Sequence, residues 1–226
     1  MAQKLRDLRE RWQDPLLTVL TIVLALLMFV LAPLRADHIP GITELAFGLV
    51  ALVTGAVLVI SGRPVAIGTL VLAIILAAIA AILRLQHPSN LDVYLGATAW
   101  LLISLALILE VGRVVFGPGR ITYHRVMGAI LLYLAMGLAF AALFALIGVA
   151  SDTAFSGFVV KDSRNLWDTM IYFSFGVLTG IGSGDMTALH PMVRSLTLVE
   201  AMIGILYPAT LLARVVTLQT EDGRRS

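Results

Sequence analysis

The chain has 226 residues, 59% of them hydrophobic and only 13% charged, with a mean hydropathy of +0.97. Soluble globular domains run at about 45–50% apolar, so this composition calls for lipid as its solvent. The 16 basic residues are scattered between apolar runs, which excludes a nucleic-acid surface, and the absence of cysteine excludes disulfides and thiolate metal sites.

In chain order, residues 1–14 carry both signs of charge with Leu5, Leu8 and Trp12 on one helical face, predicting an interfacial amphipathic helix that is retained rather than cleaved. A bilayer core of about 30 Å takes about 20 apolar residues per spanning helix. Six runs qualify: Leu16–Leu34, Leu45–Gly62, Val65–Leu83, Val93–Leu109, Val126–Ala150 and Ser195–Ala213. The first four make a domain over 15–120. The fourth lacks an arginine at every third position, so this domain reads as a scaffold and not as a voltage sensor.

Basic residues set the orientation. Lys4, Arg6, Arg9, Arg11, Arg63, Arg113, Arg120, Arg125, Arg214, Arg224 and Arg225 fall on one side when the N-terminus is inside. Arg35, Arg84, Lys161, Arg164 and Arg194 fall on the other. The asymmetry predicts an even number of spans with both termini cytoplasmic, in a cell membrane, as in a bacterial inner membrane.

Between the fifth and sixth spans, Thr169–Gly184 is uncharged, too short to cross, and ends in Gly180, Gly182 and Gly184. Asn165 caps and Asp168 supports the start of a short helix there. Irregular backbone at membrane depth survives only inside protein or beside a wet cavity, so the segment reads as a re-entrant loop. Its helix aims partial negative charge at the bilayer middle, and the glycines let successive carbonyls of Thr179, Gly180, Ile181, Gly182, Ser183 and Gly184 line a path for cations. One such strand is a fraction of a cage, so the reading requires several copies.

Tyr172-Phe173-Ser174-Phe175, the run Gly182-Ser183-Gly184-Asp185 with Thr187 and Pro191, and Glu200-Ala201, Leu206-Tyr207 and Ala213-Arg214 follow one another in the order of a known family. From Val126 onward the chain resembles bacterial potassium channels of the pore-loop superfamily, with two pore helices within six spans. The resemblance implies an all-α membrane protein with a re-entrant pore helix and filter between helices five and six, assembled as a homotetramer. It implies a pore domain over 121–218, a short cytoplasmic tail over 219–226, and monovalent cations, potassium or sodium, held at Thr179, Gly180, Ile181, Gly182 and Ser183 with no other cofactor. Trp167, Asp168 and Asp185 are expected to support the filter, and Gly204 and Pro208 to form an inner-helix hinge or gate.

The family's filter reads Thr-Thr-Val-Gly-Tyr-Gly-Asp, whereas Gly180 replaces its second threonine and Ser183 its tyrosine. A hydroxyl ligand and an aromatic brace are thereby lost, so weakened potassium selectivity is expected. Retained selectivity and a non-conducting regulatory subunit are the alternatives. Glu200 reads either as paired, with Arg194 or a neighbouring subunit, or as a gating group. Glu110 with Arg113 reads as an interfacial charge pair, and His124 and His190 as solvated imidazoles.

Rival functions lack their parts. A transporter carries two broken helices in corresponding repeats, and only one segment here is broken. An intramembrane protease built on Gly182-Ser183-Gly184-Asp185 needs a second aspartate within a span, and the six spans contain none. Catalysis is not expected.

Overall fold

The computed structural model describes residues 15–31, 63–86, 89–117, 123–158, 160 and 166–225. The predicted helix over 1–14 and the second span, Leu45–Gly62, lie outside the described residues, as do Asn165 and the last three residues of the first span, 32–34. In order come α1 (Pro15–Val30), α2 (Pro64–Gln86), α3 (Asn90–Phe116), α4 (Tyr123–Ala150), β1 (Phe155–Ser156), α5 (Leu166–Thr179), β2 (Thr187–Ala188) and α6 (Pro191–Arg225). Among the described residues, α2, α3, α4 and the Pro191–Arg214 part of α6 are long and apolar enough to cross a membrane, while α1 is a shorter apolar helix that ends in a π-helical turn, Leu27–Leu31. The chain is a multi-pass membrane protein.

Local chemistry sets the helix boundaries. At α3, Ser89 and Asp92 form a capping box, with the Ser89 amide donating to the Asp92 carboxylate at 2.9 Å. At α6, Pro191 takes the first turn, where its missing N–H costs nothing, and the Met192 amide donates to His190 Nδ1 at 3.2 Å. α6 runs on as helix past the predicted boundary at 218, because hydropathy falls there while the sequence offers no helix breaker before Gly223.

α4 is the central helix, buried along most of its length against α3 on one side and α5 and α6 on the other. Four phenylalanines fix α4 to the loop region edge-on: Phe173 of α5 meets Phe144 of α4 at 5.0 Å and Phe155 of β1 at 5.2 Å, and Phe140 flanks Phe144 at 6.2 Å. Such pairs each add about 0.5–1.5 kcal/mol beyond their buried area. α1 is stitched to α4 by polar contacts: Thr21 donates to the Met127 carbonyl at 2.9 Å, and Thr18 Oγ1 lies 2.9 Å from His124 Nδ1. His124 is therefore not the solvated imidazole expected from sequence. The expected pair of Glu110 and Arg113 is formed, at 2.7 Å.

One connection decides the architecture. β1 and β2 pair antiparallel, Phe155 opposite Ala188 and Ser156 opposite Thr187. The ribbon ties the chain leaving α4 to the chain entering α6, so α5 and the turn after it belong to an excursion that starts and finishes at the same end of the bundle. That end, the loop end, also holds the C-terminus of α2 and the N-terminus of α3. At 14 residues, α5 is about 20 Å long, short of a bilayer core.

A cavity of about 200 Å³ lies between α2, α3 and the first half of α5, walled largely by apolar side chains.

Candidate functional site

The excursion turns at the end of α5. Thr179 closes the helix with its hydroxyl on the Phe175 carbonyl at 2.6 Å, and Gly180 leaves it at φ 77°. Ile181 follows, and Gly182 again takes a positive φ, 76°. Both are left-handed conformations that a side chain disfavours, and a Cβ at either would meet nothing within 4 Å, so the turn geometry and not crowding calls for glycine there. A β-branched residue does not fit this backbone.

The turn consumes the carbonyls that the helix end leaves unpaired. The Gly180 amide donates to Val177 O at 3.0 Å, the Gly182 amide to Gly176 O at 2.8 Å, and the Tyr133 hydroxyl to Leu178 O at 3.0 Å. Beyond them, no hydrogen bond among the described residues takes the carbonyls of Thr179 to Gly184. This stretch is exposed in the single subunit, Ile181 at 86%, apart from the half-buried Ser183, whose hydroxyl donates to Met186 O at 3.1 Å.

The tip is gripped from behind by α4 and α6. From Pro191 to Gly204 the helix rises about 20 Å, so the excursion reaches well into the bundle before it turns. There a Cβ on Gly204 would fall 1.9 Å from Leu178 O and 2.8 Å from Leu178 C. Leu178 O thus sits between the Gly204 backbone and the Tyr133 hydroxyl. Tyr133 stacks on Tyr207, with centroids 5.9 Å apart, and Tyr207 donates to Ala129 O at 2.8 Å. One turn back on α5, the Ser174 hydroxyl bridges Gly137 O at 2.7 Å and Glu200 Oε1 at 2.5 Å, both partners buried. Glu200 is fully buried, and its Oε2 has no hydrogen-bond partner.

Several expected roles move as a result. Arg194 and Glu200 do not pair: the Arg194 side chain donates to Ala188 O at 3.0 Å, and Glu200 faces Ser174. Six residues on a helix turn through about 240°, which places the two on different faces. Trp167 bears on α3, its ring 6.2 Å from that of Trp100, and not on the turn at Thr179–Gly184. Asp168 lies with it in the wall of the cavity. Asp185 is exposed beyond the turn, and its carbonyl would sit 2.2 Å from a Cβ on Gly157, so this part of the chain packs closely on the loop after β1. α6 is continuous through Gly204 and Pro208.

The bracing residues are instead Tyr133, Ser174, Glu200 and Gly204. The sequence marked Glu200 as a carboxyl within an apolar span and Gly204 as a hinge, but neither as part of a brace. Tyr133→Phe removes one hydrogen bond from Leu178 O and should destabilise the protein by about 1 kcal/mol, read as a lower apparent melting temperature in detergent. An unchanged melting temperature would remove Tyr133 from the brace.

Residues 128–221, nearly all of α4 through most of α6, match a family described as an ion channel. This part of the chain is an ion-channel domain. The match marks the protein as a channel and not an enzyme, and it covers both helices that grip the tip together with the excursion between them. No curated protein and no solved structure matches the chain. Among the described residues of the ion-channel domain and its surroundings, no cluster of three or more His, Asp or Glu side chains is placed to hold a metal ion.

Proposed function

We propose that the protein is a tetrameric channel for monovalent cations, in which residues Thr179 to Gly184 of four copies line a re-entrant selectivity filter. The observation that carries this reading is the run of exposed residues at the tip whose carbonyls no donor among the described residues takes. At membrane depth such groups persist only beside water, ions or other protein. Gly184 adds to it: it has neither a positive φ nor a neighbour near its missing Cβ, so nothing inside one subunit accounts for glycine there, whereas a crowded axis between copies does. Carbonyl rings replace the water around a cation, and the α5 dipole favours positive charge near its C-terminus.

The filter oxygens are those of Thr179, Gly180, Ile181, Gly182 and Ser183, with both termini on the cytoplasmic side of the membrane. α6 lines the inner pore. Pro208 has no N–H for the Gly204 carbonyl, so the helix is weakest at this pair and bends there when the pore opens.

Selectivity between potassium and sodium is weak, because Ser183 places a short hydroxyl, bound to its own loop, where the resembling channels carry a bracing ring. With the full-length protein in planar bilayers between potassium and sodium solutions, the reversal potential should lie near zero. Ser183→Tyr should move it toward potassium. A large potassium preference in the unaltered protein would overturn the weak-selectivity reading, and absence of cation flux would overturn the channel reading of this filter. Gly180→Thr is expected to reduce flux in either case, since it strains a backbone held at φ 77°.

A further inference from the structure

Three helices meet behind the tip of α5 in two layers one turn apart. Gly137 of α4, Ser174 of α5 and Glu200 of α6 form one layer. Tyr133, Leu178 and Gly204, each four residues away on the same helices, form the other. The second layer closes with a proton of its own, that of the Tyr133 hydroxyl. The first is one proton short. Ser174 Oγ lies 2.7 Å from Gly137 O and 2.5 Å from Glu200 Oε1, distances at which two oxygens repel unless a proton stands between them. A serine hydroxyl brings one proton and a backbone carbonyl brings none, so the other comes from the carboxyl. The surroundings agree. Ser174 and Glu200 are fully buried, Glu200 Oε2 has no partner, and no ion pair among the described residues includes Glu200. The two arginines of the Pro191–Arg214 part of α6 are engaged elsewhere, Arg194 on Ala188 O and Arg214 on Phe116 O. A bare carboxylate here would be a buried charge with one oxygen unsatisfied and no cation beside it, whereas an acid leaves only a neutral carbonyl oxygen unpaired.

We propose that Glu200 is the donor of this layer and a positioning residue for the turn at Thr179–Gly184: its carboxyl carries a proton and donates to Ser174 Oγ, which donates in turn to Gly137 O. The hydrogen bonds then run one way, from α6 through α5 to α4, and end on a backbone carbonyl whose second lone pair is free for a bond from outside its helix. With Leu178 O lodged between Gly204 and the Tyr133 hydroxyl one turn on, the relay fixes both the rotation and the register of α5. It thereby sets the place from which the turn departs. A fully satisfied chain of this kind, closed away from water, is rigid in a way that apolar contact alone is not.

The test needs no ion flux and so stands apart from the channel reading. The infrared difference spectrum between the full-length parent and Glu200→Gln, both in detergent, should show the loss of one protonated-carboxyl C=O band, well above the carboxylate region. Ser174→Ala should keep that band and move it upward, since the acid loses its acceptor. Loss of carboxylate bands alone would overturn the assignment, as would a band that Ser174→Ala leaves in place. Positioning is read by amide hydrogen exchange. The Gly180 and Gly182 amides are held by carbonyls of α5 at 3.0 and 2.8 Å, so peptides covering the turn report how firmly it is seated. Glu200→Gln keeps an N–H to give to Ser174 and should exchange like the parent. Glu200→Leu should exchange faster in the turn and not in α2 or α3. Equal exchange in these two variants, or an increase spread over the whole chain, would overturn the positioning role. If Glu200→Leu fails to fold, Glu200→Met takes its place.

Discussion

Gly204→Ala is expected to disrupt the ion-channel domain more than any other single methyl group added to it. The new Cβ would fall 1.9 Å from Leu178 O, and the contact is backbone against backbone, so no side chain can turn aside. Either α6 moves outward or α5 retreats, and both loosen the turn at Gly180. Overpacking in a well-filled core usually costs about 1–3 kcal/mol, and a collision with a carbonyl that also accepts the Tyr133 bond belongs at or above the top of that range. The expected result is a large drop in the apparent melting temperature in detergent together with loss of cation flux from liposomes. Gly180→Ala, whose Cβ meets open space within the subunit, should cost only the backbone strain and serves as the control for the melting temperature. A Gly204→Ala protein as stable as the parent would mean that α5 does not rest on α6 as described.

The second large effect lies at the Ser174 bridge. Ser174→Ala removes the hydrogen-bond partner of a fully buried carboxyl whose other oxygen has none, and should destabilise by about 3 kcal/mol. Glu200→Gln keeps an oxygen for the hydroxyl and should cost about 1 kcal/mol or less. The informative variant is the double change Ser174→Ala with Glu200→Leu. Replacing a buried polar pair with apolar groups of similar volume is often neutral, so the double variant should recover much of what Ser174→Ala loses. Thermal denaturation of the parent, Ser174→Ala, Glu200→Leu and the double variant closes the cycle. Strictly additive losses would show that the two side chains do not act on each other.

These two predictions fall on residues of very different legibility. The apolar runs were readable because a span is set by length and hydropathy, and α2, α3, α4 and α6 lie where those runs lie. The short helix α5 was readable from a deficit, an uncharged segment too brief to cross and closed by glycines. The brace was not readable. Tyr133, Ser174 and Gly204 belong to three separate helices, and nothing local marks a tyrosine or a glycine in an apolar helix as the neighbour of one particular carbonyl.

Proximity in sequence misled at two places. Arg194 and Glu200 are close along the chain but on different faces of α6, and Glu200 is satisfied from another helix. Trp167 sits at the start of α5, where the resemblance assigns it to a filter, yet α3 is the helix it touches. Gly180 was readable as an anomaly against the family's pattern and unreadable in its reason, which is a dihedral angle. The far end of the bundle holds one more contact that no motif announces. Arg214 donates to Phe116 O at 3.0 Å and lies 5.1 Å over the Phe116 ring, joining α6 to the C-terminus of α3, where a cation is favoured by the helix dipole.

The two-residue ribbon of β1 and β2 has a consequence for biosynthesis. Its strands are separated by the whole of α5, so during translation Phe155 emerges and must wait until Ala188 follows before the pair can close. Nor can Leu178 find its seat on Gly204 until the last helix has been threaded into lipid. The turn at Thr179–Gly184 is thus shaped only once α6 is in place, and its maturation is bound to the insertion of that helix and not to the order in which its own residues leave the ribosome.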